Sequence, residues 1–178
     1  MNTIDIYRAL AGHPITRLHF AGTFAADRLP RCVLPRPSIC VANSDISSQP
    51  GTHWLGFYIP DDAEHTIEYF DSYGFKPTNK FFTRFLGRHS QLCVYNQKIL
   101  QNLNSTSCGH FVRLFLLYRC MGFSIRSFVK LFSKDLAKNE RIVRRLFRFH
   151  FPHHLQSRSH LYVTPADYGY PCSSLQRG

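Results

Sequence analysis

Residues 101–118 read Gln101-Asn102-Leu103-Asn104-Ser105-Thr106-Ser107-Cys108-Gly109-His110-Phe111-Val112-Arg113-Leu114-Phe115-Leu116-Leu117-Tyr118. The first half is small and polar, the second apolar at nearly every position. Phe111, Val112, Phe115 and Leu116 recur at helical spacing, and Leu114, Leu117 and Tyr118 add apolar surface on the other sides. A helix that is apolar all round is buried, so this one is expected at the centre of the molecule. The polar run before it puts Cys108 at or near the helix N-terminus. Unpaired N–H groups and the helix dipole there favour a thiolate, the nucleophilic form. Gly109 leaves room beside the sulfur for a substrate backbone. A cysteine by itself is more often an ordinary buried thiol, so the rest of the chain has to supply its chemistry.

Upstream the pattern changes from helical to extended. Residues 38–42 (SICVA) form a short apolar run expected to be a buried strand. Residues 53–59 (HWLGFYI) and 66–70 (TIEYF) are aromatic and β-branched, separated by a turn that begins Pro60-Asp61-Asp62, and so predict a hairpin. Residues 92–95, and 99–100, have the look of further short strands. Helices are expected at 3–11 with Thr3 as N-cap, at 79–87, at 124–132 and at 135–149. Residues 27–37, with three prolines, predict an irregular connection. The expected fold is α+β: a small mixed sheet packed against a central helix that begins at Cys108. Residues 1–178 suit a single domain, with the tail after about 162 irregular.

The hairpin brings a base toward the thiol. The start of its first strand and the end of its second lie side by side, which puts His53 beside Asp71. A carboxylate in that position holds an imidazole in its productive tautomer. Gln101, seven positions before Cys108, can add a side-chain donor to the Cys108 N–H at a developing oxyanion. The residues thus point to nucleophilic catalysis: Cys108 as nucleophile, His53 as general base, Asp71 orienting His53, and Gln101 in the oxyanion hole.

Composition limits the alternatives. Apolar residues make up 44% of the chain, which argues against disorder. No stretch reaches the ~18 apolar residues of a membrane span. The N-terminus carries Asp5 and lacks the long apolar run of a signal peptide. The six cysteines have no short pairing and are expected to be mostly reduced. Cys108 with His110, and His150 with His153 and His154, are the only metal-like groupings, and neither has zinc spacing, so no metal is expected. The net charge of +11 predicts a polyanionic partner, nucleic acid first. Residues Arg141, Arg144, Arg145 and Arg148, with Lys138, form the basic face of the last helix.

Four segments carry a resemblance along nearly the whole chain. They are Phe20-Ala21-Gly22-Thr23-Phe24 with Asp27-Arg28; Gly51-Thr52-His53-Trp54; Tyr69-Phe70-Asp71-Ser72-Tyr73-Gly74-Phe75; and Gln101 through Cys108-Gly109, a Gln-x6-Cys-Gly pattern. In this order they resemble the adenovirus-type cysteine proteases, which are distantly similar to the proteases of ubiquitin-like modifiers. Asp71 stands where many adenoviral enzymes carry Glu, the segment from Asp71 to Cys108 is shorter, and the tail after about Tyr162 matches nothing. The chain therefore resembles a divergent relative, from another virus or a virus-like mobile element. The resemblance implies a cysteine endopeptidase that cleaves viral capsid or core precursors at Gly-containing sites during virion maturation, in the host nucleus and in the virion. It also implies DNA as a cofactor, held non-specifically by Arg141, Arg144, Arg145 and Arg148, and an activating viral peptide added as a strand and linked by a disulfide to Cys93. Two alternatives stay open. A protease of ubiquitin-like modifiers shares the triad. A non-enzymatic DNA-binding protein explains the charge but not the ordered His53, Asp71, Gln101 and Cys108.

Overall fold

The structure is a computed structural model that describes residues 2–33, 35–61 and 66–152. The expected irregular tail, His153, His154 and Cys172 lie outside the described residues, as does most of the hairpin turn. Five strands form one mixed sheet in the order β1 (Phe20–Phe24), β2 (Ser38–Asn43), β3 (Trp54–Ile59), β4 (Ile67–Phe70) and β5 (Cys93–Tyr95). The inner pairs β2/β3 and β3/β4 are antiparallel, while the outer pairs β1/β2 and β4/β5 are parallel. The architecture is α+β, as the alternation of extended and helical patterns predicts.

Helix α3 (Cys108–Cys120) lies across one face of this sheet, with Phe111, Val112 and Leu114 through Leu117 buried. Gly56 on β3 explains how closely the two layers meet. A Cβ at that position would lie 3.2 Å from the Phe115 ring and 3.3 Å from Val112, close enough that the helix side chains would have to give by a few tenths of an ångström. Phe70 stacks on Phe115 at 4.6 Å between ring centroids. Around α3 pack α1 (Thr3–Gly12), the short α4 (Ile125–Val129) and α5 (Leu136–His150). The opposite sheet face is covered by α2 (Lys80–His89), whose Phe82 and Phe85 meet Phe57 and Tyr69. The two faces follow from period-two alternation: Leu55, Phe57 and Ile59 face α2, while Trp54 and Gly56 face α3.

Three local expectations are corrected. Asn2, not Thr3, caps α1: its side chain accepts from the Asp5 N–H, and the Asp5 carboxylate accepts from the Asn2 N–H, a reciprocal pair that Thr3 cannot form. Residues 99–100 are not a strand, because the Leu100 and Gln101 N–H groups both donate to the Ser72 carbonyl instead of to a ladder. The helix expected at 124–132 is one short piece, α4, and the chain turns at Lys130. Among the described residues no helix is long and apolar enough to cross a membrane.

Candidate active site

The hairpin puts both of its chemical ends at one edge of the sheet. β3 begins just after His53 and β4 ends just before Asp71, and the two strands pair Gly56 with Phe70. His53 Nε2 lies 2.8 Å from Asp71 Oδ1. That oxygen also accepts the Tyr73 N–H at 2.8 Å, within a tight turn that Gly74 completes at a φ of +75°. The His53 backbone is held as well: its carbonyl accepts from Ser44 N–H at 2.8 Å. Tyr73 stacks its ring on the imidazole, with centroids 4.6 Å apart.

The thiol arrives from the other layer. Cys108 is the first residue of α3 and is 7% exposed. Its thiol is hydrogen-bonded to the His53 side chain and receives the Trp54 and Gly109 N–H groups. With Nε2 committed to Asp71, Nδ1 is the ring nitrogen left for the sulfur. Ser107 occupies the N-cap position but does not cap, because its hydroxyl donates to Glu140 of α5 at 2.9 Å. The amides of the first turn therefore gain no side-chain acceptor from the cap beside the sulfur.

These contacts set the protonation state. Burial alone would push the Cys108 thiol up. The His53 hydrogen bond and charge, with the two backbone N–H groups, outweigh it and hold the thiol below its ordinary value. Burial likewise opposes charge on His53, but Asp71 and Cys108 raise it to about 9. Each shift favours the charged form of its group, the thiolate at Cys108 and the imidazolium at His53, so proton transfer from the thiol to the ring is favoured by the site itself.

Two further residues lie behind this set. Asn96, not singled out in the sequence, pairs with the Asp71 backbone: its Oδ1 accepts the Asp71 N–H at 3.0 Å and its Nδ2 donates to the Asp71 carbonyl at 2.6 Å. Glu140 accepts from both Ser107 Oγ and the Asn102 N–H, which ties α5 to the loop that delivers Cys108. Both depend on long-range contacts and leave no local pattern to read. Gln101 is fully buried. Its Oε1 accepts from Ser72 Oγ at 2.6 Å, and its Nε2 donates to the Ser105 carbonyl at 2.8 Å and to the Tyr73 hydroxyl at 3.3 Å.

The other expected residues are not brought to this site. Cys93 is exposed on β5, paired with Ile67 at the end of the sheet away from Asp71. Arg141, Arg144, Arg145 and Arg148 are exposed on α5, with Arg144 3.8 Å from Glu140. His110 points away into the interior, edge-on to Phe147. The five described cysteines are free thiols, and among the described residues no group of His, Cys, Asp or Glu could hold a metal ion.

The fold is thus an α+β layer structure with a thiol, an imidazole and a carboxylate gathered where the buried helix meets the end of the sheet. Among solved structures it is similar to the ASFV pS273R protease. One crystal structure of that protein superposes with a TM-score of 0.57 at 18% identity, covering 84% of this chain and 66% of that one. The selenomethionine crystal structure gives 0.58 at 19% identity, covering 85% and 67%. This chain spans about two thirds of the length of that protease, and at such identity the likeness is one of fold. No protein-family model matches the sequence, and no curated protein matches it.

Proposed function

We propose that this chain is a cysteine endopeptidase that cleaves viral precursor proteins at Gly-containing sites during virion maturation, in the host nucleus and the virion. The observation that carries the reading is the mutual bias of Cys108 and His53, one held low and the other raised to about 9. A structural thiol buried to this extent has its pKa pushed up, as burial does at Cys40. Perturbation in the opposite sense, with a base 2.8 Å from its carboxylate, is the signature of a nucleophile.

In this reading each residue has one task. The Cys108 thiolate attacks the scissile carbonyl, and the charge that develops on oxygen is met by the Cys108 N–H at the start of α3. Gln101 adds a second donor once its Nε2 exchanges the Tyr73 hydroxyl for the oxyanion. The imidazolium of His53 then gives its proton to the leaving amine and becomes neutral. It next takes a proton from the water that hydrolyses the thioester. Asp71 holds the ring throughout and favours its charged form.

The fold likeness to a viral protease and the glycine beside the nucleophile support this substrate class. The test is cleavage of Gly-Gly-containing peptides and of capsid precursor proteins by wild type and Cys108→Ala, alongside fusions to ubiquitin-like modifiers. Cleavage of the precursors by wild type alone is expected. Cleavage confined to the modifier fusions would overturn the substrate class, and undiminished cleavage by Cys108→Ala the mechanism. DNA on α5, and an activating peptide paired to the free edge of β5 through Cys93, belong to the same proposal.

A further inference from the structure

Two cavities flank the catalytic set, and they differ in chemistry. One, of about 220 Å³, borders His53 and Asp71 and is walled by Leu55, Tyr69, Phe75 and Phe82. The other, of about 380 Å³, contains neither His53 nor Asp71. It opens beside Trp54, whose N–H is hydrogen-bonded to the Cys108 sulfur, and extends to the start of α1. In the proposed reaction His53 delivers its proton to the departing amine, which assigns the cavity at His53 to the leaving-group side and the cavity at Trp54 to the acyl side.

The acyl-side cavity has polar and apolar walls, and its lining residues carry one sign of charge, with Arg28 reaching it only by donating to the Ser47 hydroxyl at 3.3 Å. Asn2, Asn43, Ser47 and Gln49 line it with Asp45, and no Lys or Arg does. That is unusual in a chain with 22 basic and 11 acidic residues. The backbone of Asp45 is fixed: its N–H donates to Asn43 Oδ1 at 2.9 Å, and its carbonyl accepts from the Ala26 N–H at 2.9 Å. Its carboxylate has only the Ser44 hydroxyl at 3.4 Å, and among the described residues it has no ion pair. The neighbouring Asp27 differs in being occupied by the Ser47 N–H and hydroxyl and by Arg28. Phe24, Pro50 and Trp54 supply apolar wall on which the methylenes of a long side chain can lie.

We infer that this cavity is a specificity subsite for a lysine or arginine side chain on the acyl side of the scissile bond, with Asp45 as its counter-charge. The inference rests on the protease reading. A volume of about 380 Å³ is room for a long side chain, and the place of the cavity beside Trp54 points to a residue before the glycines that pass Cys108. A basic residue there also carries specificity against the acidic partners that the rest of this cationic surface attracts.

The test uses fluorogenic peptides of the form acetyl-X-Y-Gly-Gly-aminocoumarin, with X and Y each set to Lys, Leu, Ala or Glu, and compares kcat/KM ratios within each protein variant. Wild type should prefer Lys over Leu at X or Y by about fivefold, the worth of one partly exposed ion pair, and the preference should shrink as salt rises. Asp45→Asn should bring the Lys-to-Leu ratio close to one, and Asp45→Lys should turn it toward Glu. Cleavage without a Lys preference, or a preference that survives Asp45→Asn, overturns the subsite and leaves the protease reading standing. No cleavage of any peptide, with Cys108 no more reactive to iodoacetamide than Cys32, overturns the protease reading itself.

Discussion

At the scale of single residues, the thiolate–imidazolium pair makes its own pH dependence. The active form needs Cys108 deprotonated and His53 protonated. Activity should rise with pH through the lowered Cys108 value and fall as pH climbs through about 9, where His53 loses its proton. Alkylation by iodoacetamide needs only the thiolate, so its rate should follow the acid limb and not fall at the alkaline one. An alkylation rate that climbs only above pH ~8.5, the free-thiol value, would refute the pair. Asp71→Asn should keep the fold and the Tyr73 N–H contact but withdraw the charge that raises His53, so the alkaline limb should move to lower pH as turnover drops. Asn96→Ala tests a positioning role. It leaves the buried Asp71 N–H and carbonyl without their side-chain partner, at about 1–3 kcal/mol for a group left unpaired. It should lower Tm and turnover together while leaving the rate of Cys108 alkylation near that of wild type. His53, Asp71 and Cys108 could be read because each sits at a boundary between a polar turn and an apolar element. Asn96, Tyr73 and Glu140 could not, since their partners lie across the fold.

Elements were legible where period and chemistry agreed. The all-apolar run after Cys108 is α3, and the aromatic hairpin is β3 with β4. Strand β1 was quoted for its resemblance but not read as a strand, because Ala21-Gly22-Thr23 carries little β signal. It is held by parallel pairing with β2 and by α1 packed against it. Leu100 misled in the other direction: its apolar side chain is buried, but its amide is spent on Ser72. Gly56 is the glycine at which the sheet and α3 meet, with Phe115 and Val112 close over its backbone. Gly56→Val should overpack that layer at a cost of about 1–3 kcal/mol, seen as a Tm several degrees lower in thermal unfolding. Because β3 begins at Trp54, which donates to Cys108, the same shift should slow alkylation of Cys108. A Gly56→Val protein with wild-type Tm would mean that the sheet and helix are not in contact there.

At the scale of the whole molecule, a row of basic side chains runs along α5. His53, Asp71 and Cys108 lie at one end of the sheet, while Lys138, Arg141, Arg145 and Arg148 form a stripe along α5, each three or four residues from the next. Its opposite face, through Asn139, Val143 and Phe147, is buried. The stripe therefore cannot turn inward, and it has no carboxylate of its own apart from Glu140, which faces Arg144 and holds Ser107. If α5 tracks a phosphate backbone, duplex DNA should bind without sequence preference. The affinity should drop steeply between about 50 and about 200 mM salt, with log K falling by about 0.9 per log salt for each phosphate neutralised. Removing Arg141, Arg145 or Arg148 singly to Ala should each flatten that slope by close to one contact, whereas Arg144→Ala should change it less because Glu140 already shares its charge. All four positions are exposed, so these variants should keep the wild-type Tm, and a lost slope cannot be put down to unfolding. Because Glu140 is the neighbour of Arg141 and accepts from Ser107 and Asn102 in the loop before Cys108, DNA bound on this face would be one residue from a contact that holds that loop. Added DNA should change the alkylation rate of Cys108 in wild type and not in the Arg141→Ala, Arg145→Ala, Arg148→Ala triple variant. Equal affinity at the two salt concentrations, or a triple variant with the wild-type slope, would remove DNA from α5.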